Sequence, residues 1–298
     1  MSDDAVAPVV AAMIILAIGV TFFAAWNAYY VPSMKAQSEI THLKDVETGF
    51  LKFSSDIGTA ASLKRNMQLS ESIPLGGGDF TFDGVKSGGS LRIQNETEGY
   101  LRIIIRNGTS YGPTRYLLHY ANYSYQPVNN FWQDQGYVWS YGNVNVTKGA
   151  LATPLQYPGM DAVTYGMAGT LFELDAAPSP DDPSMCNLVN IYTVNITPFA
   201  GHTFASGNGN GMLELGSTIS NQQFSNASGI TIEINPDLPD GFRNALLNAV
   251  NRSFDGIADC KNVNQPVYLS KTEIQLSFDT IPNMTLNRKI TEIALGAE

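Results

Sequence analysis

The side chains best suited to proton transfer or metal binding are three histidines, His42, His119 and His202. None has a second ligand-type residue at a metal-binding spacing. His42 falls in a helical pattern and His119 in a strand-like one, so both read as structural residues. Asp175, Asp181 and Asp182 flank the stretch AAPSPDDP, where carboxylates and carbonyls would offer oxygen ligands to Ca2+. Asp181 and Asp182 are the weak candidates there, and their spacing fits a solvated acidic loop better than a cation loop. No GxSxG, HExxH, phosphate-binding loop or CxxC occurs. GNGNG at 207–211 has no Lys and helix after it, so it reads as a turn. No catalytic set and no cofactor are expected, and the chain is read as not an enzyme.

The covalent chemistry points outside the cell. Cys186 and Cys260 are the two cysteines. In a secreted domain they read as one disulfide, closing a loop of about 75 residues and contributing about 4–5 kcal/mol. Two unrelated buried thiols are the alternative. Eight Asn-x-Ser/Thr sequons occur, at Asn95, Asn107, Asn122, Asn145, Asn195, Asn226, Asn251 and Asn283. That is roughly twice the number its Asn, Ser and Thr content gives by chance, and N-linked glycans on an externalised surface are the expected use. Asn-rich turns that carry no glycan are the plainer reading.

Tyr116, Tyr120, Tyr123, Tyr125, Phe131, Trp132, Tyr137, Trp139 and Tyr141 fall within 26 residues. Buried, such a cluster is sheet core; exposed, it stacks on sugar rings or packs against a neighbouring subunit.

The totals narrow the partners. Lys+Arg is 17 against Asp+Glu 27, a net charge of −10, so nucleic acid and anionic surfaces are repelled. Charged residues are 15% of the chain, below the roughly 25% of an ordinary soluble domain. Neutral hydroxyl- and amide-rich surfaces of this kind suit extracellular proteins and proteins that bury much surface in an assembly.

These groups must be carried by a chain whose start is unlike the rest. From Ala5 to Met34 no residue is charged, which is long enough for the roughly 20 apolar residues of a bilayer span. Trp26, Tyr29 and Tyr30 lie at its far end, as an interfacial aromatic belt would. Asp3 and Asp4 suit the positive end of a helix, and Pro8 places the helix start nearby. The acidic start and long apolar core argue for a retained helix rather than a signal peptide. Beyond Pro32, Ile40, Leu43, Val46, Phe50, Phe53 and Ile57 recur at helical spacing, with charged residues between them. Pro32 is expected to kink this helix without ending it, for a total length of ~95 Å at 1.5 Å per residue.

DDAVAPVVAAMIILAIGV, residues 3–20, resembles the amino-terminal segment of archaeal type IV pilins, in which acids, a short Ala-Val-x-Pro element and an apolar helix follow one another. The resemblance covers about residues 3–60. Ala7 stands where Ser is usual, Ala11 where Gly is usual, and no Lys or Arg precedes the run. The resemblance implies a subunit that sits in the membrane before assembly and then packs its helix against copies of itself at the centre of a filament. Val9, Val10, Met13, Ile14, Leu16, Ala17, Ile18, Gly19, Val20, Phe22 and Phe23 would form that packing. It also implies adhesion at the cell surface, with a glycan or surface receptor as possible target. A single-pass, glycosylated surface protein that does not polymerise is the alternative, and an extracellular enzyme or sugar-binding module is a third.

After PLGGG the pattern turns β-rich. SLRIQN, GYLRIIIRN and TRYLLHYANYSY alternate apolar and polar residues and read as an antiparallel meander. Further strands are expected at 188–196, 229–234, 267–269, 273–278 and 289–294, with one late helix over 239–254. The expected fold is α+β: residues 1–32 a membrane or filament-core helix, 33–73 its amphipathic continuation, 74–78 a linker, and 79–298 an extracellular, sandwich-like antiparallel head.

Overall fold

The computed structural model describes residues 6–77, 87–107, 112–128, 130, 134–155, 160–257, 259–279 and 285–298. Asp3, Asp4, Phe131, Trp132 and Asn283 lie outside them.

One helix opens the chain. Helix α1 spans Val6–Ala25, a π-helical turn covers Trp26–Tyr30, and helix α2 runs over Val31–Leu63. Together they make a rod of ~87 Å. The π turn lies just before Pro32, whose ring has no N–H to donate and crowds the carbonyl four residues earlier. A wider turn relieves that conflict, with the Val31 N–H reaching back to the Trp26 carbonyl. The helix therefore passes through Pro32 without ending.

It does end sooner than its sequence suggests. Lys64 takes a left-handed conformation, φ 48°, and Met67–Pro74 form strand β1, although 33–73 read as helix. Met67, Leu69 and Ile73 recur with period two, and that alternation wins once the helix has been capped.

Strands β2 (Gly88–Asn95), β3 (Leu101–Asn107), β4 (Thr114–Leu118) and β5 (Ala121–Val128) follow. Then come β6 (Gly136–Ser140), β7 (Asn143–Lys148), β8 (Leu151–Pro154), helix α3 (Met160–Leu171) and β9 (Phe172–Pro178). The remainder is β10 (Cys186–Gly207), β11 (Asn210–Ser225), β12 (Ala227–Ile234), helix α4 (Asp240–Asp255), β13 (Val267–Tyr268), β14 (Glu273–Ser277) and β15 (Thr285–Ala297).

Among the described residues these strands form two sheets. The larger has the order β1-β11-β15-β10-β2-β5-β6-β7-β8, with β9 also paired to β10; the smaller is β13-β14-β12-β3-β4. Pairing is antiparallel except between β10 and β15. The expected meander is thus corrected: β2 and β5 pair in the large sheet, while β3 and β4 form a hairpin in the small one. Alternation fixes which face of a strand is buried but not which strand it pairs with. Strand β10 breaks register between Pro198 and Thr203, and Gly201 there has φ 85°. Before the break β10 pairs with β15 and β9; after it, Phe204–Gly207 pair with β2.

The second half of α2 belongs to the head. Leu43, Val46, Phe50, Phe53, Ile57, Ala60 and Ala61 are buried in a single core with both sheets and with Phe242, Leu246, Val250 and Phe254 of α4. A Cβ on Gly49 would lie 2.5 Å from Ile73 Cδ1, so a larger residue there makes the Ile73 side chain shift. The expected linker is equally engaged: Leu75 is buried, and Leu75 and Gly76 both donate to the Gly209 carbonyl in the β10–β11 hairpin.

The aromatic cluster is mostly core. Tyr120, Tyr123, Tyr125, Tyr137 and Trp139 are buried, with Tyr120 and Tyr123 stacked on Trp139 at 5.2 and 5.0 Å. Their polar atoms reach α2: Tyr123 Oη donates to the Phe50 carbonyl (2.9 Å) and Trp139 Nε1 to Ser54 Oγ (2.8 Å). Burial pushes the phenols of Tyr100, Tyr120, Tyr123 and Tyr125 well above their ordinary value, and Tyr141 up to about 12. A pKa raised in the folded state gives stability that is complete below the unfolded value, about 10, and is lost as pH rises beyond it. These phenols are expected to ionise only together with cooperative alkaline unfolding. Tyrosinate absorbance followed beside circular dichroism checks this, and a gradual, complete titration with the fold intact would count against it.

Candidate functional site

From Pro8 to Tyr30 every side chain is exposed. These 23 residues extend ~35 Å along the axis, against ~30 Å for a bilayer hydrocarbon core. The apolar surface runs all the way round: Met13, Ile15, Leu16, Ile18, Phe22 and Phe23 are each more than 60% exposed. A helix of this kind belongs inside something else. Val9, Val10, Ile14, Ala17, Gly19 and Val20, also expected in the packing set, lie on the same exposed rod.

Two of its polar side chains are satisfied within the helix. Thr21 Oγ1 donates to the Ala17 carbonyl (2.6 Å) and Asn27 Nδ2 to the Phe23 carbonyl (2.9 Å), as an environment without water demands. Phe22, Trp26 and Tyr30 form a ladder one turn apart, with centroids 6.3 and 4.2 Å apart. This ladder marks the passage from apolar to mixed surface. At the neck Glu39 and His42 are buried, and His42 Nε2 lies 2.9 Å from Tyr125 Oη. The exposed rod therefore continues as a helix clamped into a folded head.

A second feature escaped the sequence reading. A groove of about 650 Å3 runs between the outer flank of α2 and α3, lined by Ser54, Gly58, Ser62, Val144, Gly166 and Met167 among others, none of them charged. A Cβ at Gly58 or at Gly166 would meet nothing within 4 Å. A glycine inside a helix costs about 1 kcal/mol relative to alanine, and no contact among the described residues requires either one. Glycine within a helical pattern is the signal that was present in the sequence.

The remaining candidates are dispersed. Cys186 and Cys260 form a disulfide, Cα–Cα 5.5 Å, which ties the start of β10 to the segment after α4. Asn262 brackets it, donating to the Cys186 carbonyl (2.7 Å) and accepting the Cys186 amide (2.8 Å). Asp182 accepts the Ser184 amide and hydroxyl at 2.9 and 2.8 Å, which hold its pKa below the usual range. Among the described residues no group of three or more His, Cys, Asp or Glu side chains converges on a metal position. His119 donates its backbone N–H to Asn195 Oδ1 (2.7 Å), and His202 pairs with Glu298.

The sequons differ in environment. Asn95 and Asn226 are exposed, the latter at φ 57° in the β11–β12 turn. Asn195 also donates to Glu292 Oε2 (2.6 Å), so both ends of its amide are engaged. Asn122 donates to Glu96, Asn145 lies 3.5 Å from Ser140 Oγ, and Asn251 accepts from Tyr268 Oη (3.1 Å). Asn107 ends β3. Comparison of this chain with protein-family models, with curated proteins and with solved structures returns no match.

Proposed function

We propose that this chain is a structural subunit of an extracellular, type IV pilus-like filament, held in the membrane before assembly and then packed through residues 8–30 against copies of itself. One observation carries this reading: an uncharged helix exposed on every side and continuous with a helix built into the head core. A rod ~10 Å across and ~35 Å long presents about 1,100 Å2 of lateral surface. At about 25 cal/mol per Å2, leaving it in water costs on the order of 25 kcal/mol. That exceeds the 5–15 kcal/mol that holds a typical domain folded, so lipid or protein must cover it. Ala11, Ala12, Ala17, Gly19, Ala24 and Ala25 permit close helix approach, and stacking one subunit type uses contacts that do not close.

The disulfide fits an oxidising compartment, and the exposed Asn95 and Asn226 are the sequons best placed for N-linked glycans. Adhesion to a glycan or other surface receptor is the cellular role that the amino-terminal resemblance supports. Negative-stain microscopy of native surface material tests the proposal: filaments of uniform width are expected. Discrete particles released only by detergent would favour a single-pass surface protein that does not polymerise.

A further inference from the structure

We infer that the α2–α3 groove is a docking surface for the exposed helix of a second copy of this chain, an inference that rests on the filament reading. The groove contains two helical glycines, Gly58 and Gly166, that no contact among the described residues requires. Glycine is among the weakest helix formers, and its use at two facing positions keeps open a space that this fold leaves unfilled. What enters it comes from outside the described residues.

Polarity selects the occupant. The groove lining carries no charged side chain, and its helix hydroxyls turn back on their own backbone: Thr59 Oγ1 donates to the Ser55 carbonyl (2.9 Å) and Ser62 Oγ to the Gly58 carbonyl (2.7 Å). Most of what remains facing outward is apolar, suited to an apolar helix. Residues 8–30 supply an uncharged helix that must be covered, and Gly19 within it likewise has no neighbour within 4 Å of a notional Cβ. The groove follows α2 from Leu51 to Leu63, about 18 Å, so it takes about half the length of the exposed helix. A helix from one copy in the groove of the next is a head-to-tail contact, and it propagates.

The test separates the groove from the filament. Gly58→Ala and Gly166→Ala in the detergent-solubilised full chain are expected to raise the melting temperature by about 2 °C each. Gly58→Leu, which fills the groove, is expected to melt no lower than wild type and to reduce filament yield at least about tenfold, a loss of ~1.4 kcal/mol per contact. In wild-type filaments, a diazirine analogue of leucine at position 63 is expected to crosslink to the tryptic peptide ending at Lys35 of another copy. Crosslinks confined to head peptides, or Gly58→Leu assembling as well as wild type, overturn the groove and leave the filament reading standing. Wild-type protein that forms no filaments at all removes both.

Discussion

Ile18→Asp is expected to abolish assembly while leaving the head folded. Ile18 lies in the middle of the exposed rod and is 65% exposed, so its replacement disturbs nothing in the core. Asp at the centre of a membrane helix costs about 2.5–3.5 kcal/mol, and each large apolar residue returns only about 0.3–0.6. Ten such residues lie between Val9 and Phe23, so one carboxylate consumes most of their combined gain. In a helical array the penalty recurs at every copy, because each buried charge meets only identical charges. Ile18→Leu is the control and is expected to assemble normally. Filament yield by pelleting and head folding by circular dichroism are the readouts. Normal filaments from Ile18→Asp would remove residues 8–30 from the interface.

The second large effect concerns the head. Replacing both cysteines by alanine removes a bridge spanning 74 positions of sequence, worth about 4.5 kcal/mol on the chain-entropy model. For a domain of this size that lowers the melting temperature by roughly 10–15 °C. The loss is expected to be mainly global, because Asn262 still joins the two segments through its paired hydrogen bonds to Cys186. Asn262→Ala strands both Cys186 backbone groups and is expected to cost about 2–3 kcal/mol by itself. Calorimetry of the oxidised protein and of the double alanine variant measures the first effect. A difference within 2 °C would mean that the bridge does not constrain the unfolded chain.

The sequence was legible where a single period dominates. The run up to Met34 shows by its length and lack of charge, while the buried stripe from Leu43 to Ile57 and α4 with Phe242, Leu246, Val250 and Phe254 inside follow helical spacing; among the described residues all are helix. Strands near 188–196, 229–234, 273–278 and 289–294 were likewise visible by composition. Partnership was not. Strand β10 passes through Pro198 and Gly201 and serves both halves of the large sheet, yet those residues read locally as an end. Strand β1 was hidden because its alternation begins three residues after a helix stops. Helix α3 and strands β6–β8 are short and punctuated by Gly and Pro, so no window is long enough to declare a period.

The candidate site divides in the same way. A helix exposed on all sides announces itself through the absence of charge. A groove arises from two segments about a hundred positions apart in sequence, and only its glycines leave a trace. Conversely, the aromatic cluster that looked available for stacking sugars is largely enclosed, with Trp139 and Tyr123 bound to the backbone and side chains of α2.

We propose that residues 8–30 leave lipid to become the axis of a filament built from copies of this chain. Helical reconstruction by cryo-electron microscopy of filaments from native surface material tests it most directly. A core of packed helices about 35 Å long per subunit is expected, each continuous through Pro32 into a head on the outside. Filaments whose axis is hollow or built of heads, or native material containing only detergent-dispersed single subunits, would contradict it.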